Sequence, residues 1–125
     1  MKKNLFKIFI LSVTLLSLSG CGGVDRNSSI EVAKAYMEAY VDKDIDSVKE
    51  LANNQKKRIS DDNIYDHNYL RTENENTDRP MYVFKIKTDF QGKKIYRRML
   101  VRTKENPEND EWYVEMAGIA PLEYK

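Results

Sequence analysis

Few residues in this 125-residue chain carry chemistry beyond simple charge. There is one cysteine, Cys21, and one histidine, His67. A thiolate is a strong nucleophile, so Cys21 is the natural group to receive a covalent partner. With no second cysteine, an intramolecular disulfide is excluded. His67 stands in Tyr65-Asp66-His67-Asn68. A carboxylate that orients an imidazole can build a general base. Adjacent residues diverge on a helix or a strand, however, so Asp66 and His67 do not pair. The reading that follows is a surface or loop histidine. The acids Asp42, Asp44 and Asp46, and the pair Asp61-Asp62, could attract a hard cation. They lack the glycine and the spacing of a calcium loop, and helix capping explains them better. No glycine-rich phosphate loop, nucleophile elbow or two-histidine metal pattern occurs. The expectation is a non-enzymatic protein with no cofactor and no metal.

Cys21 lies just after an unusual N-terminal run. Lys2, Lys3 and Lys7 precede residues 8–18, IFILSVTLLSL, in which only Ser and Thr are polar. A basic start and a short apolar stretch ending in small residues form a secretory signal pattern. The run is shorter than the roughly 20 residues that span a bilayer. A buried N-terminal helix is the other reading, disfavoured because residues 8–13 offer no polar face to water. Leu18-Ser19-Gly20-Cys21 resembles the lipobox of bacterial lipoproteins. That resemblance implies diacylglycerol transfer to the Cys21 sulfur and cleavage between Gly20 and Cys21. A free reactive thiol is the alternative. Two acyl chains on one residue give stable membrane attachment, whereas one is marginal. The implied location is the extracytoplasmic face of a bacterial cell membrane.

Removing residues 1–20 takes away three lysines and no acid, leaving 18 basic and 20 acidic residues among 105. That is the size of one domain. Residues 21–29 read as a flexible lipidated tether, and residues 30–125 as the domain. Ile30, Ala33, Met37, Tyr40 and Val41 fall on one helical stripe, with Ser28 or Ser29 as cap. Asp44 caps a second helix carrying Ile45, Val48, Leu51 and Ala52. Residues 53–80 are polar; a short helix over residues 60–70, or a packed loop, is expected there.

After Pro80 the period changes to two. Tyr82, Phe84, Ile86 and Phe90 alternate with Lys85, Lys87 and Asp89, and residues 95–103 do the same. A Gly92-Lys93 turn predicts Phe90 opposite Ile95, Ile86 opposite Met99, Phe84 opposite Val101 and Lys87 opposite Arg98. Trp112-Tyr113-Val114-Glu115-Met116 reads as a third strand, with Gly118 marking a bend. Helices followed by a meander of three or more antiparallel strands make an α+β fold. The run EVAKAYMEAYVDKDIDSVKELA and the late Glu111-Trp112-Tyr113-Val114 resemble NTF2-like (cystatin-like superfamily) domains, closest to the lipoprotein group with a DUF4878, lumazine-binding-like domain. The resemblance implies a curved sheet wrapped against helices as a cone with a pocket. That family hosts both enzymes and binders, so fold alone assigns no activity.

Charge is unevenly spread. Residues 79–104 hold nine Lys or Arg and one acid, Asp89, whereas residues 25–50 hold seven acids and four bases. The register turns Lys85, Lys87, Arg98 and Arg102 outward, as a surface for an acidic protein partner, anionic lipid or wall polymer. A solvated face that deters strand-to-strand aggregation is the alternative. Nucleic acid is not expected, because an anchored lipoprotein faces outward and the aromatics sit on the core side. The second binding reading is the cone: Tyr36, Tyr40 and Trp112 at the seam, with Arg97 on the core face beside Thr88. Arg97 either snorkels at the rim or holds an acidic ligand group. For the anchor, Cys21→Ser is expected to abolish incorporation of a fatty-acid probe in cells; equal labelling of the variant refutes lipidation.

Overall fold

The computed structural model describes residues 24–121. The signal segment, Gly20 and Cys21 lie outside the described residues. Helix α1 (Ser29–Val41) starts at Ser28, whose hydroxyl accepts the Glu31 amide at 3.3 Å. Val32, Ala33, Tyr36, Met37, Ala39 and Tyr40 form its buried side. The chain reverses at Lys43, which takes a left-handed φ of 60°. Helix α2 (Ile45–Leu51) follows from Asp44. The Asp44 carboxylate accepts the Ser47 amide at 3.2 Å and the Ser47 hydroxyl at 2.7 Å. These bonds satisfy donors that a helix start leaves open and hold the carboxyl below its usual pKa. Asn53 and Asn54 close α2 at φ 54° and 63°, the conformation in which Asn substitutes for Gly.

Four strands follow: β1 (Ile64–Glu73), β2 (Met81–Phe90), β3 (Lys93–Glu105) and β4 (Trp112–Ile119). They form an open antiparallel sheet in the order β1-β2-β3-β4. Together with the two helices this is an α+β fold. Strand β1 occupies the stretch where a short helix or a loop was expected. The reason lies in its two register shifts, between Ile64 and Asp66 and between Tyr69 and Arg71. Each bulge inserts one residue and breaks the period of two. Ile64 and Tyr69, five apart, thereby face the same side, opposite Thr88 and Phe84. The sequence of β1 therefore shows no continuous period of two.

The β2–β3 hairpin differs from expectation by two residues. Phe90 pairs with Lys93, Ile86 with Arg97, Phe84 with Met99 and Lys85 with Arg98. The turn residues are Gln91 and Gly92, both at positive φ (51° and 81°), so the turn is of the primed kind that fits strand twist. A shift of two preserves which face each side chain occupies, so apolar alternation cannot distinguish the two registers. The observed one sets Asp89 opposite Lys94 and moves Lys87 from Arg98 to Tyr96.

One sheet face and the two helices enclose the core. Tyr36, Met37, Val48, Leu51, Ile86, Met99, Val101 and Val114 are fully buried in it. Burial, then the neighbouring Tyr40, pushes the Tyr36 hydroxyl up to about 12, so it stays neutral. Thr88 and Thr103 are also buried, and their hydroxyls donate to the carbonyls of Asn63 and Pro80. Residues 24–29 are not a free tether. Val24 packs against the core. Arg26 accepts the Trp112 amide at 2.8 Å and returns an Nε bond to the Trp112 carbonyl at 3.2 Å. Its guanidinium also reaches Asn53 Oδ1 at 3.3 Å. Lys57 Nζ donates to the Glu115 carbonyl at 2.9 Å, so the outer β4 edge has partners at its start and at its middle.

Two expectations follow. Phe84→Asp places an unpaired charge at a 2 % exposed position and is expected to cost several kcal/mol, of order 3 or more, whereas exposed Lys85→Asp stays near wild type. Equal thermal midpoints refute the face assignment. For Asp44 the folded pKa is depressed. Its contribution is therefore present above the ordinary carboxylate range and lost as pH falls through the depressed value. The stability gap between wild type and Asp44→Ala is expected to shrink on acidification; a gap that widens contradicts the capping bond.

Candidate functional site

The side of the sheet away from the helices carries the basic residues expected there. On β2 it presents Met81, Val83, Lys85, Lys87 and Asp89; on β3 it presents Lys94, Tyr96, Arg98, Leu100 and Arg102. Lys85 and Arg98 stand directly opposite. Lys87 neighbours them, one strand repeat along β2. Arg102 lies four residues from Arg98, roughly 13 Å along the strand, opposite Met81 and Met116. The four expected residues therefore share a face, but not as one cluster. Lys85, Lys87 and Arg98 gather toward the turn end. Arg102 is set apart beyond Val83, which is fully buried, and half-buried Leu100.

Sequence reasoning missed the aromatic element of this face. Tyr96 is 55 % exposed, and the ammonium groups of Lys85 and Lys87 lie 4.4 and 5.6 Å from its ring centroid. Lys94 sits 4.7 Å above the Tyr65 ring, whose hydroxyl donates to both Asp89 carboxylate oxygens at 2.9 and 3.0 Å. An exposed cation–π contact is worth about 0.5–1 kcal/mol. These contacts offset part of the repulsion between like charges opposed across a ladder. The signal for Tyr96 was present: Ile95 belongs to the core face, so its neighbour must point outward. Tyr65 had no such signal, because the first bulge of β1 decides its side. Met116 adds an exposed apolar side chain at 43 %.

The second set of expected residues is brought only partly together. Tyr36 and Tyr40 lie side by side on α1 with ring centroids 6.4 Å apart, and both are buried. Arg97 is on the core-side face as expected, but opposite Ile86 rather than beside Thr88. It lines a hollow with Tyr40 at the turn end of the sheet. Trp112 is at the far end of β4, about 23 Å from Ile119 by strand length, where it meets Arg26. It does not join a pocket with Arg97. Sequence spacing could not show this, because β4 runs the length of the sheet.

His67 is half-buried on β1 opposite Ile86. It lines a shallow groove of about 210 Å³ with Lys34, Glu38, Asn68, Tyr69 and Phe84. Asp66 is exposed opposite Lys87, so the two side chains diverge as expected. Among the described residues no cluster of three His, Cys, Asp or Glu side chains is arranged to hold a metal. No described helix is long and apolar enough to cross a membrane. Comparison with protein families, curated proteins and solved structures yields no match. Functional inference therefore rests on the geometry of the sheet.

If the cation–π contacts hold the outer face together, Tyr96→Ala is expected to leave Lys85 and Lys87 without the ring that both ammonium groups approach. The Tyr96→Ala variant should then gain stability from added salt more than wild type does, read as a shift in denaturation midpoint. A salt response identical to wild type argues against this coupling.

Proposed function

We propose that the protein is a bacterial lipoprotein, anchored through Cys21, that presents a non-enzymatic NTF2-like domain to an acidic protein partner. The observation that carries the reading is the outer sheet face. Lys85 and Arg98 are opposed across the ladder, with Lys87 beside them and an exposed tyrosine between the two lysines. Asp66 stands opposite Lys87 and Asp89 opposite Lys94, yet the face keeps more bases than acids, and net positive charge on a rigid sheet favours an anionic partner. Exposed Tyr96 and Met116 on the sheet favour a protein over a polyphosphate wall polymer, which has nothing apolar to offer them. The filled core supports a surface rather than an enclosed pocket as the working part. The curved-cone architecture belongs to this same proposal.

Membrane geometry points the same way. Only Gly22 and Gly23 separate Cys21 from the docked Val24, a reach of at most roughly 11 Å. An anchor at Cys21 therefore sits at the end of the sheet where Arg26 meets Trp112. The β1–β2 and β3–β4 loops lie at that end and carry Glu75, Asp78, Glu108, Asp110 and Glu111 against Arg79. Anionic headgroups repel such an end, while the basic face stands alongside the strands, open to a neighbour on the membrane.

Chemical crosslinking and recovery from intact cells tests this. Lys85→Glu with Arg98→Glu is expected to lose the acidic partner recovered with wild type while keeping its thermal midpoint. Recovery should also fall steeply above physiological salt, where exposed charges are screened within about 8 Å. Undiminished recovery by the double variant removes the face from consideration. Salt-sensitive binding to anionic vesicles, with no protein recovered, transfers the assignment to lipid.

A further inference from the structure

A hollow of about 510 Å³ opens at the turn end of the sheet, on the side opposite the basic face. Its walls come from the C-terminal end of α1, the segment leading into β1, and the last residues of β4, with Arg97 on β3. The Arg97 guanidinium donates through Nη2 to the Ala120 carbonyl at 3.0 Å and lies 5.9 Å from the Phe90 ring centroid. Its Nε is buried and has no hydrogen-bond partner among the described residues. Arginine cannot shed its charge, and a desolvated N–H without an acceptor is costly. The fork of an arginine matches a carboxylate.

The surroundings narrow the ligand. Arg58 brings a second guanidinium to the hollow, and Asp61 and Asp62 bring two carboxylates. The Tyr40 hydroxyl accepts the Ser60 amide at 3.0 Å, which leaves its own proton to donate. Lys43 Nζ ties down the segment by bonding the carbonyls of Ser60 and Asp62. Two positive and two negative side chains line one hollow. A bare anion meets Asp61 and Asp62 as well as the arginines, and a bare cation meets the reverse. A molecule with both charges satisfies both sets. The volume falls within the usual range of small-molecule sites.

We propose that this hollow binds a small zwitterion, a free amino acid or short peptide, with its carboxylate on Arg97 and Arg58 and its ammonium toward Asp61 and Asp62. The site is independent of the basic face, so the Lys85→Glu, Arg98→Glu variant is expected to retain it.

The test uses the full chain in detergent micelles, titrated with alanylalanine, acetate, ethylammonium and inorganic phosphate. Calorimetry gives affinity, and the Arg97 Nε–H proton resonance, assigned by its loss in Arg97→Lys, reports contact. Saturable binding of the dipeptide with displacement of that resonance is expected. Arg97→Lys keeps the charge but removes the fork and should weaken binding at least about tenfold. Because Arg97→Lys also loses the bond to Ala120, exposed Arg58→Gln serves as a second variant and should weaken binding in the same direction. Asp61→Asn with Asp62→Asn should weaken the dipeptide but not acetate. Acetate or phosphate binding as tightly as the dipeptide overturns the zwitterion assignment. No saturable binding by wild type, or wild-type affinity in Arg58→Gln, overturns the site.

Discussion

The β2–β3 hairpin must bury one face under the helices, and most other features of the domain depend on that burial. Tyr82, Phe84, Ile86 and Thr88 on β2, with Met99, Val101 and Thr103 on β3, supply its buried side. Helix α1 can bury Val32, Tyr36, Met37 and Tyr40 only by lying across this surface. A domain of about this size has little apolar material to spare. Turning this face inward leaves Lys85, Lys87, Arg98 and Arg102 no place but the other side. The concentration of positive charge outside is thus the counterpart of an interior without charged groups at its centre.

Arg97 is the exception to that division. It occupies a core-facing position, yet it lies near the end of the sheet, where Ala120 offers a carbonyl and the hollow admits solvent. Further along the strand the same side chain would face Met37, Leu51 and Val114, with no acceptor in reach. A charged residue is tolerated at this one place because the core ends there. The two candidate surfaces, the basic face and the hollow, lie on opposite sides of one hairpin and share no side chain.

The docking of residues 24–28 fixes how the chain enters helix α1. Arg26 extends the β4 edge through two backbone-directed bonds to Trp112, at the end where β4 begins. Bulges along β1 and paired groups at the start and middle of β4 keep the two sheet edges from offering a long flat template.

Local chemistry was legible in the sequence wherever it depends on neighbouring residues. Ser28 and Asp44 cap helices because side-chain oxygens meet amides three residues on. The period of two in residues 81–103 determined which side chains of the hairpin share a face, and therefore that Lys85, Lys87, Arg98 and Arg102 are coplanar while Arg97 is not. Tertiary structure decided what alternation cannot encode. The hairpin register depends on the positive φ of Gln91 and Gly92, since a shift of two residues leaves every face unchanged. Strand β1 depends on two bulges that scramble its period. The separation of Trp112 from Arg97, and the meeting of Arg97 with Arg58, Asp61 and Asp62, depend on where chain segments far apart in sequence come to rest. Spacing along the chain carries no information about that distance, because it is set by how the whole sheet and its helices close around one core.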